Sequence, residues 1–339
     1  MRCHWDDVDR AVPFRILSFD GGGIRGLLST LLLRRLIDES SVSDLVNRVD
    51  MFAGTSTGGL IALGLAAEIP LDKIGELYLR AGPKIFTENF FGQFRDVGNL
   101  FRPQYSNREL RQVLGEIFGE KKLGDLNRRV MVPAFELDNL KGKRPSESRR
   151  WSAKIFHNLP NREADKDRLV RDVALYTCSA PTYFPAADGF IDGGVFANNP
   201  SLCAIAQALD RRWRRHPRLS DLSLLSIGSG QQIEYLAGQE HHWGVVQWGA
   251  KIIPILMEAS QEIAHFQCQQ LLGDSQYCRV QPIFQEEYRM DCVDRISEMM
   301  DFARKTVNLT HAVDWIRQNW RYDGWMRILR QNPSKKIYS

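Results

Sequence analysis

Met51-Phe52-Ala53-Gly54-Thr55-Ser56-Thr57-Gly58-Gly59-Leu60 decides how this chain is read. An apolar run stops at a glycine, a serine follows between two threonines, and two more glycines lead into a second apolar run. That order reads as the end of a buried strand, a very tight turn and the start of a helix. Gly54-Thr55-Ser56-Thr57-Gly58 has the G-x-S-x-G spacing of a sharp strand-to-helix turn that presents a serine hydroxyl at the mouth of a sheet. Small residues two before and two after the serine let the backbone fold that tightly, and glycine tolerates positive φ. The first turn of the following helix leaves free N–H groups beside the hydroxyl. Alone, the motif also fits a Gly/Ser-rich turn with no chemistry.

Working outward, Phe14 to Phe19 is a short apolar run that reads as a first buried strand. Asp20-Gly21-Gly22-Gly23-Ile24-Arg25-Gly26 follows at once, and Leu27 to Ile37 reads as a buried helix. A strand, a glycine loop and a helix point backbone N–H groups at an anion. Gly21-x-Gly23-x-x-Gly26 formally fits a dinucleotide fingerprint, with Asp44 or Asp50 as the ribose acid. The same loop fits an oxyanion hole, and the Ser56 turn after the next strand favours that reading.

The rest of the chain carries alternating signals. Val46 to Ala53 reads as the second strand, with helices over 57–67, 71–80 and 106–118. Residues 81–105 hold Phe86, Phe90, Phe91, Phe94 and Phe101 without a clean period, either a loop packed into the core or an apolar rim that touches lipid. Arg129 to Leu137 and Trp151 to His157 read as strands across a polar turn, followed by a helix over 169–178. In Phe190-Ile191-Asp192-Gly193-Gly194 an acid sits between apolar residues and two glycines: a turn former, or a buried acid held close to another element. A helix is expected over 201–212, running into Arg211-Arg212-Trp213-Arg214-Arg215-His216, either a patch for nucleic acid or lipid phosphate or, as is more usual, the solvated end of that helix. A strand over 222–227, helices over 244–258 and 259–272, a strand over 277–284 and helices near 295–307 and 310–318 complete the reading.

The totals bound the class. A chain of 339 residues, 43% hydrophobic and 25% charged, has ordinary globular composition and enough length to bury a large core. A net charge of +4 does not argue for binding a nucleic-acid polymer, but it suits an anionic membrane surface. The 6 cysteines are scattered without a C-x-x-C pair, which suggests reduced thiols. No signal-peptide core and no run of ~18 apolar residues stands out. The expectation is a cytoplasmic protein in peripheral contact with membrane.

Three parts now stand in order: Asp20–Gly26, Gly54–Gly59 and Asp192–Gly194. Together they strongly resemble the patatin-like phospholipases, marked by D-G-G-G-x-[RK]-G, G-T-S-T-G-G and D-G-[GA]. Ser179–Pro185, Ala197–Pro200 and Leu225–Gly230 look similar too, so the resemblance covers roughly residues 14–305. It implies an α/β fold, a three-layer α/β/α sandwich with a mostly parallel central sheet. It implies hydrolysis of acyl esters of phospholipid or another acyl lipid, without calcium or any other metal or cofactor. Carried over, Ser56 is the nucleophile and Asp192 the base. The amides around Gly22, Gly23 and Arg25, with Thr57, form the oxyanion hole, supported by Gly21, Gly26, Gly54, Gly58, Gly193 and Gly194. Bacterial effectors of the family are switched on by cyclic nucleotides, which makes such a molecule a candidate activator. The expected organisation is an extension over 1–13, the patatin-like domain over 14–305 and a helical tail over 306–339 packed on it.

The dyad chemistry is coherent without the family. Serine is a poor nucleophile until a neighbour takes its proton, and a partly desolvated carboxylate can do so. One alternative is an α/β-hydrolase triad using His241 or His242, although its elbow usually follows several more strands. The other is a regulatory binding module with a vestigial site.

Overall fold

Strand alternation sorts the apolar side chains onto two faces of one sheet. In β1 (Phe14–Phe19), Leu17 and Phe19 join one core cluster, while Phe14 and Ile16 join another on the opposite face. Every residue of β1 is buried, as in a strand covered by helices on both sides. The computed structural model describes residues 13–86, 103–139, 148–160, 165–233, 235–236 and 244–320.

The sheet contains β2 (Met51–Gly54), β3 (Arg129–Glu136), β4 (Ser152–His157), β5 (Phe190–Asp192), β6 (Leu222–Ile227) and β8 (Tyr277–Val280) beside β1. Its order is β4-β3-β2-β1-β6-β8, with β5 also paired to β3. The run from β3 to β8 is parallel, and only β4 and β5 run antiparallel, both against β3. A separate pair, β7 (Gln231–Gln232) and β9 (Ile283–Phe284), lies beyond the ends of β6 and β8.

One layer holds α1 (Gly26–Ser40), α2 (Thr57–Ala66), α3 (Leu71–Ile85), α4 (Asn107–Phe118) and α5 (Val170–Cys178), joined by α9 (Ile296–Lys305) and α10 (Thr310–Asn319). The other layer holds α7 (Ser201–Ala208) and α8 (Val245–Gln276), with the single turn α6 (Gly194–Ala197) leading into it. The molecule is therefore a three-layer α/β/α sandwich around a mostly parallel sheet.

Several element boundaries differ from the sequence reading for local reasons. Residues 46–48 form a short 3-10 turn, so β2 begins at Met51. The break expected between 258 and 259 is absent, and α8 runs through to the expected end at 272, beside Gly273, whose φ of 64 is non-helical. The strand expected over 277–284 divides into β8 and β9 around Gln281 and Pro282. Helix α7 ends at Ala208; within the arginine run Trp213 is buried against Phe14, with ring centroids 5.8 Å apart, while its charged neighbours are exposed. Phe86 follows the core reading: it packs edge-on against Tyr105 at 5.4 Å. Phe90, Phe91, Phe94 and Phe101 lie outside the described residues.

A buried ion pair fixes the glycine loop to the sheet. Asp20, the first residue after β1, meets Arg279 of β8 through Nη1 at 3.2 Å and Nη2 at 2.5 Å, and Nη1 also donates to Ser226 Oγ at 2.7 Å. Burial pushes the Asp20 carboxyl upward and the guanidinium pulls it back. Losing one partner strands a charge in the interior. Arg279→Met is therefore expected to cost about 3–5 kcal/mol of stability, read from denaturant unfolding. A change below about 1 kcal/mol would remove this pair from the account.

Candidate active site

The glycine spacing around Ser56 is a matter of contact distance. A Cβ on Gly54 would stand 2.0 Å from Gly58 O, and one on Gly58 would stand 2.3 Å from Phe19 O. Neither position has room for a side chain. Between them Ser56 takes φ 54 and ψ −126, a backbone conformation that non-glycine residues rarely adopt. It is held there by partners distant in sequence. The Ser56 N–H donates to Thr177 Oγ1 at 2.8 Å, and that hydroxyl donates onward to Pro133 O at 2.7 Å. The Thr55 hydroxyl donates to Ala197 O at 2.6 Å.

Asp192 arrives from the same direction. It ends β5, and its amide donates to Ser179 O at 3.0 Å. Gly193 then passes so close to β3 that a Cβ there would stand 2.5 Å from the Pro133 carbonyl carbon. Pro133 thus braces both halves of the site, through Thr177 and through Gly193. Asp192 is 1% exposed, and burial lifts its carboxyl to about 7. A weaker pull downward comes from the Ser56 hydroxyl and from the Gly194 amide, which donates to Oδ1 at 2.7 Å. Oδ2 closes no hydrogen bond among the described residues. Before substrate binds, a catalytic pair is often longer than in the reacting complex.

The glycine loop lies across this pair. The Gly21 amide donates to Asn198 O at 3.0 Å, and the Ile24 amide donates to Met290 O at 2.8 Å. Gly23 has φ 60, and a Cβ on it would stand 2.1 Å from Met290 O. The Arg25 amide donates to Gly22 O at 3.2 Å, so that N–H is spent within the loop. This qualifies the expectation that Arg25 offers its amide to an anion. No hydrogen bond to a described residue engages the amides of Gly22, Gly23 and Thr57. Gly26 packs onto the Thr57 hydroxyl, where a Cβ would come within 2.1 Å, and Tyr78 clamps that hydroxyl at 2.6 Å.

Ser56 and Asp192 sit on the wall of a cavity of about 990 Å³, counting its open mouth. Its lining is apolar, running between α2, α3 and α4 past Leu60, Ile74, Leu77, Leu114 and Ile117. Among the described residues Asp192 is the only charged one on the wall, and no described histidine reaches it. His157 is buried elsewhere and held down from its ordinary value by desolvation. His265 is within 3.1 Å of the Tyr277 hydroxyl. His4, His241 and His242 lie outside the described residues. No group of His, Cys, Asp and Glu among the described residues is arranged to hold a metal ion.

The sequence reading missed Thr177, Tyr78 and Cys178, and held Asn198 only within the Ala197–Pro200 stretch similar to the family. Burial pushes the Cys178 thiol well above its usual value, so it stands neutral beside Ser56. Asn198 Oδ1 is buried without a partner among the described residues, close to Gly21 and Gly194. No local motif announces Thr177, Tyr78 or Cys178, because each meets the Ser56 turn across about twenty residues of chain or more.

Residues 17–205 match the family model described as patatin-like phospholipase. Patatin-like protein 1 of Oryza sativa subsp. indica is 32% identical over 313 residues, covering 78% of this chain and 73% of that one. Patatin-like protein 2 of Arabidopsis thaliana is 30% identical over 78% of this chain and 75% of its own length. A cGAMP-activated phospholipase of Pseudomonas aeruginosa is 30% identical over 78% of this chain and 77% of its own length. The chain belongs to the patatin-like phospholipase family.

Thr177→Val leaves the Ser56 amide without its acceptor. It is expected to lower hydrolysis of a fatty-acyl ester by about tenfold or more through misplacement of the serine. Thr177→Ser keeps the hydroxyl and should stay within about threefold of the parent. Equal rates for all three proteins would show that the threonine does not position Ser56.

Proposed function

We propose that this protein is a lipid acyl hydrolase of the phospholipase A type, cleaving fatty-acyl esters of membrane phospholipids through Ser56 and Asp192. The observation that carries the reading is the pairing of this serine with a carboxyl lifted to about 7, on the wall of an otherwise apolar cavity. The acyl chain lies along the apolar wall, which places its ester at the polar end. The Ser56 Oγ attacks the carbonyl carbon while its proton passes to Asp192. The oxyanion takes hydrogen bonds from the Gly22 and Gly23 amides and from Thr57 at the start of α2, each typically worth about 3–4 kcal/mol. The tetrahedral centre expels the lysolipid alkoxide, which takes the proton from Asp192. Water then attacks the acyl-enzyme and gives a proton to Asp192. The C–Oγ bond breaks, Ser56 regains its proton, and the fatty acid leaves.

This scheme uses no histidine and no calcium. Full activity in excess chelator is expected; loss that added calcium restores would contradict it. The protein acts at a membrane surface, as a peripheral visitor. A bacterial effector switched on by a cyclic nucleotide is a further proposal, supported by the name of the Pseudomonas aeruginosa relative.

The sign of the pH dependence follows from the direction of the Asp192 shift. Below about 7 the carboxyl holds its proton and cannot accept another, so kcat/KM should rise by about tenfold per pH unit and level off above that value. The folded state also retains this proton at pH values where an unfolded aspartate has lost it, so ionising Asp192 costs stability as pH rises toward 7. Asp192→Asn should lower turnover by about 10² or more, with a melting temperature at pH 8 no lower than the parent's. Ser56→Ala should abolish fatty-acid release from phospholipid vesicles, followed by mass spectrometry of the lipid extract. Retained release by folded Ser56→Ala would overturn the assignment. Alanine at both His241 and His242 should leave turnover within about threefold; a loss as deep as that of Ser56→Ala would favour the triad.

A further inference from the structure

Helix α8 is apolar on two opposite faces. Met257, Gln261, Ala264, Cys268 and Leu272 turn inward. Trp248, Ile252, Ile255, Leu256, Ile263 and Phe266 are 37–59% exposed. At about 100° per residue these six side chains fall in one stripe about 100° wide, opposite the buried face and about 27 Å long. A helix with apolar residues on both faces is normally covered on both.

We propose that this stripe is the surface by which the protein docks onto a phospholipid bilayer, with α8 lying in the interface plane. The inference rests on the proposed lipid hydrolysis for its choice of occupant. Three observations favour a bilayer over a second copy of the chain. First, α8 reaches the cavity from its opposite face: Met257, on the inward side of the same turns, lines the wall that Ser56 shares. Second, the bared apolar surface is wider than a helix seam. Ile233 and Tyr235 follow β7 at 73% and 84% exposed, and Ile283 opens β9 at 54%. These strands lie beyond the ends of β6 and β8, the sheet edge at which Ser56 and the glycine loop also stand. Helix pairing would leave them bare, whereas a bilayer covers such an arc, and tyrosine and tryptophan rings suit its headgroup zone. Third, the acids beside the stripe are engaged by a polar partner: the Gln231 amide donates to Glu258 at 2.6 Å and to Glu262 at 3.2 Å. Lys251 is exposed next to the stripe, as an anionic leaflet favours.

The test uses the full chain carrying Ser56→Ala, so that binding is read without turnover. Flotation with phosphatidylcholine–phosphatidylglycerol vesicles compares it with the same protein bearing Ile252→Ser, Leu256→Ser and Ile263→Ser. Vesicle partitioning is expected to fall by about tenfold or more. The triple variant with Ser56 intact should cleave a short soluble ester within about twofold of the parent and lose turnover on vesicles. Ile263→Ser alone, at a site already half exposed, should weaken binding in the same direction and carries the test if the triple variant does not fold. Unchanged partitioning would overturn the proposal. So would a parent dimer, seen by light scattering, that the substitutions split while vesicle binding persists; that result assigns the stripe to a second copy. Failure of hydrolysis by the parent with binding intact would overturn the proposed function and leave the docking surface standing.

Discussion

The site depends on one strained residue held from several directions. Ser56 occupies a positive φ at the junction of β2 and α2, a conformation that costs of order 1–3 kcal/mol and persists only when its surroundings over-determine it. The surroundings here are the glycine contacts between 54 and 58 and between 58 and β1, the Thr177 hydroxyl under the Ser56 amide, and the Thr55 hydroxyl anchored on Ala197. The Ser56 side chain makes no capping bond to the first turn of α2 and stands on the cavity wall instead.

The same braces locate the acid. Proline has no amide to donate, yet Pro133 sits inside β3, and its carbonyl receives the Thr177 hydroxyl while Gly193 passes beside it. Strand β5 pairs antiparallel to β3 with Ala134 opposite Asp192, so register fixes how far the carboxyl stands from the β2 turn. Burial then lifts its pKa, since no cation among the described residues offsets it. Asp20 is the contrasting case: it is as deeply buried, but the Arg279 guanidinium shares its charge, and it serves to hold the loop rather than to move a proton. Two buried carboxyls in one edge of the sheet thus differ in whether a cation is present, which suits them to different tasks under the proposed chemistry.

The fold and the site were legible to different depths. Short-range spacing carried the most. The glycines around Ser56, the glycine loop and Asp192-Gly193-Gly194 could be read because their residue types stand in short fixed spacings, although most of the surfaces they pass, Phe19, Met290 and Pro133, lie far along the chain. The parallel strands were legible as apolar runs. Long-range braces were not: Thr177 lies 121 residues from Ser56 and Asn198 lies 63 from Gln261. The sequence pattern divides α8 at 258, where no residue breaks a helix; its end at 272 is legible because Gly273 follows, where positive φ is cheap. Its outer stripe was hidden for a related reason, because a period of 3.6 with apolar residues on both faces looks like a buried helix.

The central claim is that Ser56 carries the acyl group. Its most direct test is peptide mass spectrometry of the protein quenched during turnover of a slow fatty-acyl ester, with Asp192→Asn run beside it. The account predicts one acyl mass on the peptide containing Ser56, mapped to its hydroxyl, and slower appearance of that mass in Asp192→Asn. An adduct on Cys178 or another side chain, or steady turnover with no adduct in either protein under conditions that trap acyl-enzymes, would contradict it.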